Sequence, residues 1–243
     1  MTPILSIPLV GRVYLVVLVV GALVIGLEHL IVPPQVRATT VQLFAGSVYA
    51  TRQMSAFAAS PLLIGVHALA GVIFTALVPV QLSASVRWRS TRVHRWTGYA
   101  FVASAWIVAI SGVAVSYVYP FAGRAGMIPN LLSAALLMFC TVAGILNVRR
   151  GELAAHRAWM MRAMAIGLGI VLSRVYLPLL VQVFKLPADE AMAQVFWLGS
   201  GTNLLMVEWW LQRARGRTKP PGAAAYPKRR TVPVDGILDE GIR

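Results

Sequence analysis

The residues most able to do chemistry are four histidines standing in or beside long apolar stretches. His29, with Glu28, closes the first stretch, and His67 lies early in the second. His94 stands just before the third and His156 just before the fifth. Arg162 and Arg174 lie inside the fifth stretch and Glu208 inside the sixth. An ionisable side chain in apolar surroundings is costly, so each is a functional hypothesis by default. Paired imidazoles from two helices can ligate a b-type haem from opposite sides of the ring. A guanidinium keeps its charge at any depth, so Arg174 needs an anion. Glu28, a haem propionate, a lipid phosphate or a substrate carboxylate would each serve.

The stretches that must position these residues define the class. The chain has 243 residues, 58% hydrophobic and only 12% charged. A soluble domain carries about a quarter charged residues. A soluble fold of this size could not hide so much apolar surface, so an integral membrane protein is expected. Cys140 is the single cysteine, which excludes an internal disulfide and any zinc site built from several thiolates.

A bilayer-crossing helix needs about 20 apolar residues. Six stretches qualify, at about 13–32, 62–82, 98–117, 128–148, 159–183 and 191–211. The expected fold is therefore an all-α, polytopic bundle of six transmembrane helices, with spans two to five as a four-helix core. Residues 1–212 form the membrane domain. A basic tail, 213–243, rich in Pro and Gly, reads as disordered. The long first loop, about 33–61, reads as containing a short interfacial helix.

The net charge is +14, from 22 basic and 8 acidic residues. Sixteen of the basic residues fall before the first span, in the second and fourth loops, and in the tail. Four fall in the first, third and fifth loops, and two lie inside the fifth span. Lys and Arg are retained on the cytoplasmic side during insertion. Both termini are accordingly expected in the cytoplasm, in a cell membrane of the plasma or bacterial inner type. Topology and anionic lipid account for the charge, so no nucleic-acid partner is expected.

Depth and helical phase then sort the candidates. At ~1.5 Å rise per residue, Glu28, His29, His67 and Arg174 lie at compatible depths in the outer half. His94, His156, Arg162 and Glu208 lie towards the inner face. His94 shares a stripe with Gly98, Ala105 and Gly112; His156 shares one with Ala163, Gly167 and Arg174. Small residues let a neighbour or a flat ligand approach closely. The inner pair His94 and His156 should converge, and His67 and Arg174 should share an outer cavity.

Three readings follow. The leading one is a membrane protein carrying b-type haem on His29, His67, His94 and His156 and moving electrons. The second is a small-molecule or lipid-handling protein with a basic inner pocket for an anionic head group. The third is a non-catalytic assembly partner of a membrane complex. Bland roles compete at each position: a Glu28–Arg174 pair that fixes packing, an interfacial Arg162–Glu208 pair, and histidines bonded to backbone or headgroups. No nucleophile–base pair, phosphate loop or nicotinamide fingerprint is present, so no reaction, substrate or redox partner is assigned.

Three motifs read as a set. The second span carries His67-Ala68-Leu69-Ala70-Gly71 and then Val78-Pro79-Val80-Gln81. The third opens with His94-Arg95-Trp96-Thr97-Gly98-Tyr99. The fifth opens with His156-Arg157-Ala158-Trp159-Met160-Met161-Arg162 and continues to Leu172-Ser173-Arg174. In this order and spacing the chain resembles the bacterial predicted-membrane-protein family called domain of unknown function 2306, over about residues 65–180. That family usually has Gly before the Pro of its P-x-Q element, where this chain has Val78. The resemblance implies His67, Gln81, His94, Arg95, His156, Trp159, Arg162 and Arg174 as site residues and implies no established activity.

Overall fold

A computed structural model describes residues 9–120, 122–124 and 126–217. Their regular structure is helical throughout. The order is α1 Leu9–Ile31, α2 Pro34–Ala45, α3 Ser47–Ala59, α4 Pro61–Leu82, α5 Ala84–Arg89 and α6 Thr91–Val118. There follow α7 Met127–Arg149, α8 Leu153–Gly167, α9 Gly169–Pro178, a π-helical turn Leu179–Val183 and α10 Ala188–Arg217.

Local chemistry sets several boundaries. Pro34 and Pro61 occupy first-turn positions, where a missing N–H costs nothing. Ser83 and Ser90 cap α5 and α6, their hydroxyls accepting from the Val86 and Val93 N–H groups. Gly46 and Gly151 turn the chain at φ 86° and 79°, a left-handed backbone that favours glycine.

Five helical segments are long and apolar enough to cross a membrane: α1, α4, α6, α7 and the run Leu153–Val183 that joins α8, α9 and the π turn. The fold is thus an all-helical, multi-pass membrane protein. The sixth expected span lies within α10, which is long enough at 30 residues but is not among the five. The reason is visible in its partners. Asn203, 1% exposed, accepts from the Tyr14 hydroxyl and donates to the Ala165 carbonyl. Thr202 meets Tyr176, Ser200 donates to the Ile166 carbonyl, and Glu208 pairs with Arg162. Several of the polar residues that lower the hydropathy of α10 are turned onto α1, α8 and α9, while Asp189, Glu190 and Gln194 are exposed.

Two further expectations change. The first loop holds two helices, α2 and α3, instead of one. The core is wider than spans two to five, since Leu18 and Ala22 of α1 join Phe74, Phe101, Ala105, Leu137 and Ala163 in one buried cluster. α10 runs helical to Arg217, into the segment expected to be disordered, and the rest of that tail lies outside the described residues.

Side-chain contacts group the helix ends into two faces. One is basic and gathers the end of α4, α5, the start of α6, the end of α7 and the start of α8. The opposite face gathers the end of α1, α2, α3, the start of α4, the end of α6 and the start of α7. There Ser60 meets Tyr119 at 2.6 Å, and the His29 and Phe57 rings lie 5.7 Å apart. A smaller cluster, Val41, Ala45, Tyr49, Leu177, Ala191 and Val195, ties α2 and α3 to α9 and α10 at that face.

Candidate functional site

A cavity of about 340 Å³ opens within the α2–α3 half of the bundle. α1, α4, α6, α7 and α9 supply most of its wall, and α2, α3 and α10 close it. Much of the wall is apolar or small: Ala22, Gly26, Gly71, Phe74, Gly112 and Gly167 all line it. Gly26, Gly112 and Gly167 let side chains pack closely around the space, and Gly71 borders it directly. A Cβ built on Gly71 would meet nothing within 4 Å. The polar groups on the wall include His29, His67, Arg174, Tyr49, Gln53 and Asn130, with several hydroxyls.

His67 and Arg174 therefore do face one cavity, and His29 joins them. Each histidine is oriented by its Nδ1. That of His29 lies 2.9 Å from the Ile25 carbonyl, so it carries the proton and leaves Nε2 with a lone pair. The His67 Nδ1 lies 2.9 Å from Ser111 Oγ, whose own proton goes to the Ile107 carbonyl. Ser111 can then only accept, which again places the proton on Nδ1. The His67 ring packs over Gly112, where a Cβ would come within 3.2 Å of Cε1.

Arg174 is the one arginine on this wall. Among the described residues it makes no hydrogen bond and no salt bridge. Glu28, expected as its counter-ion, is within electrostatic range but forms no ion pair with it and does not line the cavity. A carboxylate one residue from His29 on the same helix is turned about 100° away from it. Beside the cavity, burial raises the Tyr49 phenol well above its ordinary range, and the nearby Arg174 only partly opposes this. Tyr49 is thus a neutral hydroxyl at any physiological pH.

The basic face is organised differently. Buried Gln81 donates to Thr97 Oγ1 at 2.7 Å and to the His94 carbonyl at 3.3 Å, tying α4 to α6. Arg87 donates to the carbonyls of Gln81 and Leu82, closing the end of α4. Burial, reinforced by Arg157, lowers its affinity for a proton. His156 donates from Nδ1 to the Gly144 carbonyl at 2.9 Å, joining α8 to α7. His94 lies within electrostatic range of His156, and its buried Nδ1 has no hydrogen-bond partner among the described residues. Neither ring lines the cavity.

Arg162 clasps Glu208 with two nitrogens, at 2.5 and 3.0 Å, and lies 4.6 Å over the Trp159 ring. Trp159 in turn meets Phe139 edge-on. Arg95 is exposed. Seven of the sequence-derived residues thus divide into two groups, with Glu28, His94 and Arg95 in neither. His29, His67 and Arg174 line a cavity; Gln81, Trp159, Arg162 and His156 lock helices together. Among the described residues no group of three or more His, Cys, Asp or Glu is placed to hold a metal ion.

Sequence reasoning missed Tyr49, Gln53 and Asn130. Tyr49 and Gln53 lie four apart on α3, a spacing that marks one helical face. Asn130 is a polar residue within a span; it donates to the Gly112 carbonyl and to Ser116.

A family model described as "Predicted membrane protein (DUF2306)" matches residues 64–211. The match reaches into α10, beyond the 65–180 expected from motifs, and leaves α1, α2 and α3 outside. No curated protein and no solved structure matches the chain.

Proposed function

The chain belongs to the DUF2306 family of predicted membrane proteins, and we propose that it binds a membrane-soluble, negatively charged amphiphile in the cavity between α1, α4, α6 and α9. One observation carries this reading: Arg174, without a hydrogen bond or salt bridge among the described residues, lines a cavity whose remaining wall is largely apolar. Arg174 is half-buried against a mostly apolar wall, and Glu28 acts on it only at a distance, so its charge is poorly compensated. An anionic head on Arg174 supplies the compensation, and an acyl or ring system fills the apolar space. This is the lipid-handling reading, with the pocket on the opposite face from the one expected. The cytoplasmic placement of both termini and an association of the basic face with anionic lipid belong to the same proposal.

The test is direct binding of oleic acid to the purified protein in detergent. Arg174→Gln should weaken oleate binding at least tenfold, because the head group loses its charged partner. Equal binding by wild type and variant would refute the proposal.

A second reading uses the same cavity. His29 and His67 come from different helices and line one space. Each has Nδ1 engaged by oxygen, which leaves Nε2 as the ligating atom and meets the orienting requirement for a metal-bound imidazole. These residues fit a b-type haem, which would supply one-electron transfer when bound. Arg174 would then hold a propionate. The basic-face pair, His94 and His156, does not adjoin the cavity, so this reading needs one haem and not two. An absorption spectrum before and after dithionite separates the two: sharp reduced bands favour haem, and their absence with oleate binding favours the amphiphile.

A further inference from the structure

Two hydrogen-bond acceptors on the cavity wall are left open by their own partners, and one glycine gathers them. His67 spends its Nδ1 proton on Ser111, so Nε2 carries a lone pair and makes no hydrogen bond among the described residues. Asn130 spends its Nδ2 hydrogens on α6, donating to the Gly112 carbonyl at 2.9 Å and to Ser116. Its Oδ1 remains an acceptor to which no described residue donates. A Cβ built on Gly112 would lie 3.2 Å from His67 Cε1 and 4.0 Å from Asn130 Oδ1, so both side chains surround one point of α6. Both residues line the cavity, as does Arg174. His67 lies six residues into α4, and Arg174 lies nine residues before the end of the run Leu153–Val183. Both of those ends belong to the α2–α3 face, where Gln182 donates to the Leu43 carbonyl. At ~1.5 Å per residue, the depths of His67 and Arg174 differ by about 5 Å.

We propose that the cavity selects a fatty acid with a hydroxyl close to its carboxylate. The carboxylate sits on Arg174, and the hydroxyl donates into the pair formed by His67 Nε2 and Asn130 Oδ1. The inference rests on the amphiphile reading above and names its head group. An acceptor held in apolar surroundings without a donor forfeits the hydrogen bonds it would make to water. A site that presents such acceptors favours the ligand carrying the matching donor over the analogue that lacks it. A plain acyl chain leaves both acceptors unmet. An ammonium donor would set a second positive charge beside Arg174, so a neutral hydroxyl is the donor that fits. The small difference in depth puts that hydroxyl near the acid group and not far along the chain. His29, with Nδ1 on the Ile25 carbonyl, offers a third acceptor to the same space from α1.

The probes are palmitic acid and its α-hydroxy, β-hydroxy and ω-hydroxy derivatives, titrated against the full chain in detergent. The α- or the β-hydroxy acid should bind at least about fivefold more tightly than palmitic acid, the gain expected of one added hydrogen bond. The ω-hydroxy acid should show no such gain. His67→Phe keeps a ring and removes the acceptor; it should abolish the preference and leave palmitic acid within about twofold. Asn130→Leu should reduce the preference as well, and the melting temperature of each variant reports whether it folds. Equal binding of palmitic acid and both head-group hydroxy acids by wild type overturns the proposal, as does an equal gain for the ω-hydroxy acid. Survival of the preference in His67→Phe, or in Asn130→Leu where His67→Phe does not fold, also overturns it. In all three cases the dependence of palmitic acid binding on Arg174 is untouched. Undiminished palmitic acid binding by Arg174→Gln instead removes the underlying amphiphile reading.

Discussion

Replacing Gly167 by alanine should destabilise the protein, whereas the same change at Gly71 should not. Both glycines line the cavity. A Cβ on Gly167 would lie 2.5 Å from Cε1 and Cζ of Phe74. Ordinary carbon contacts lie at about 3.5–4.0 Å, so a displacement of roughly 1 Å is required. Phe74 is 2% exposed and stacks on Phe101, with ring centroids 4.7 Å apart. It cannot retreat towards α6. Either its ring swings into the cavity or α8 and α9 back away from α4. Overpacking of this kind costs about 1–3 kcal/mol. At about 2–4 °C per kcal/mol for a chain of this size, the melting temperature should fall by roughly 2–12 °C. Gly71→Ala adds its methyl to open space and gains helix propensity of up to about 1 kcal/mol, so it should melt at or slightly above wild type. Thermal unfolding in detergent, followed by tryptophan fluorescence, measures both. A Gly167→Ala protein that melts no lower than Gly71→Ala would refute the packing argument. Gly71→Leu extends the comparison to function: it should fold but lose oleate binding, because its side chain occupies the ligand's space.

Alkaline phosphatase fused after Arg124 should be active and fused after Arg217 inactive; the reverse pattern would overturn the charge-based orientation. Asn203→Leu should cost about 1–3 kcal/mol, since the Tyr14 hydroxyl and the Ala165 carbonyl both lose their partner in a buried site. Tyr14→Phe removes only one bond and should cost about 0.5–1.5 kcal/mol, readable as a smaller fall in melting temperature.

The membrane class, the helical fold and most of the spans were legible because insertion depends on composition over about 20 residues, a local property. The shared cavity of His67 and Arg174 was legible too, because depth follows from residue count and phase from 100° steps. Tertiary contacts decided the rest. Whether α10 reads as a span depends on which neighbours take Asn203, Thr202 and Glu208, and a hydropathy average weighs a polar residue alike whether it faces lipid or protein. Glu28 and Arg174 share a depth, yet no ion pair forms, since depth says nothing of rotation about separate helix axes. The division between histidines that line a cavity and histidines that bolt helices together arose the same way. Gly144 is twelve residues from His156, and only the α7–α8 turn brings its carbonyl to the ring. Arg37 lay in a loop whose charge merely counted towards topology. The folding of α2 and α3 over the end of the bundle buries it, and that fold-back is set by side-chain packing against α9 and α10, which leaves no periodic trace in the chain.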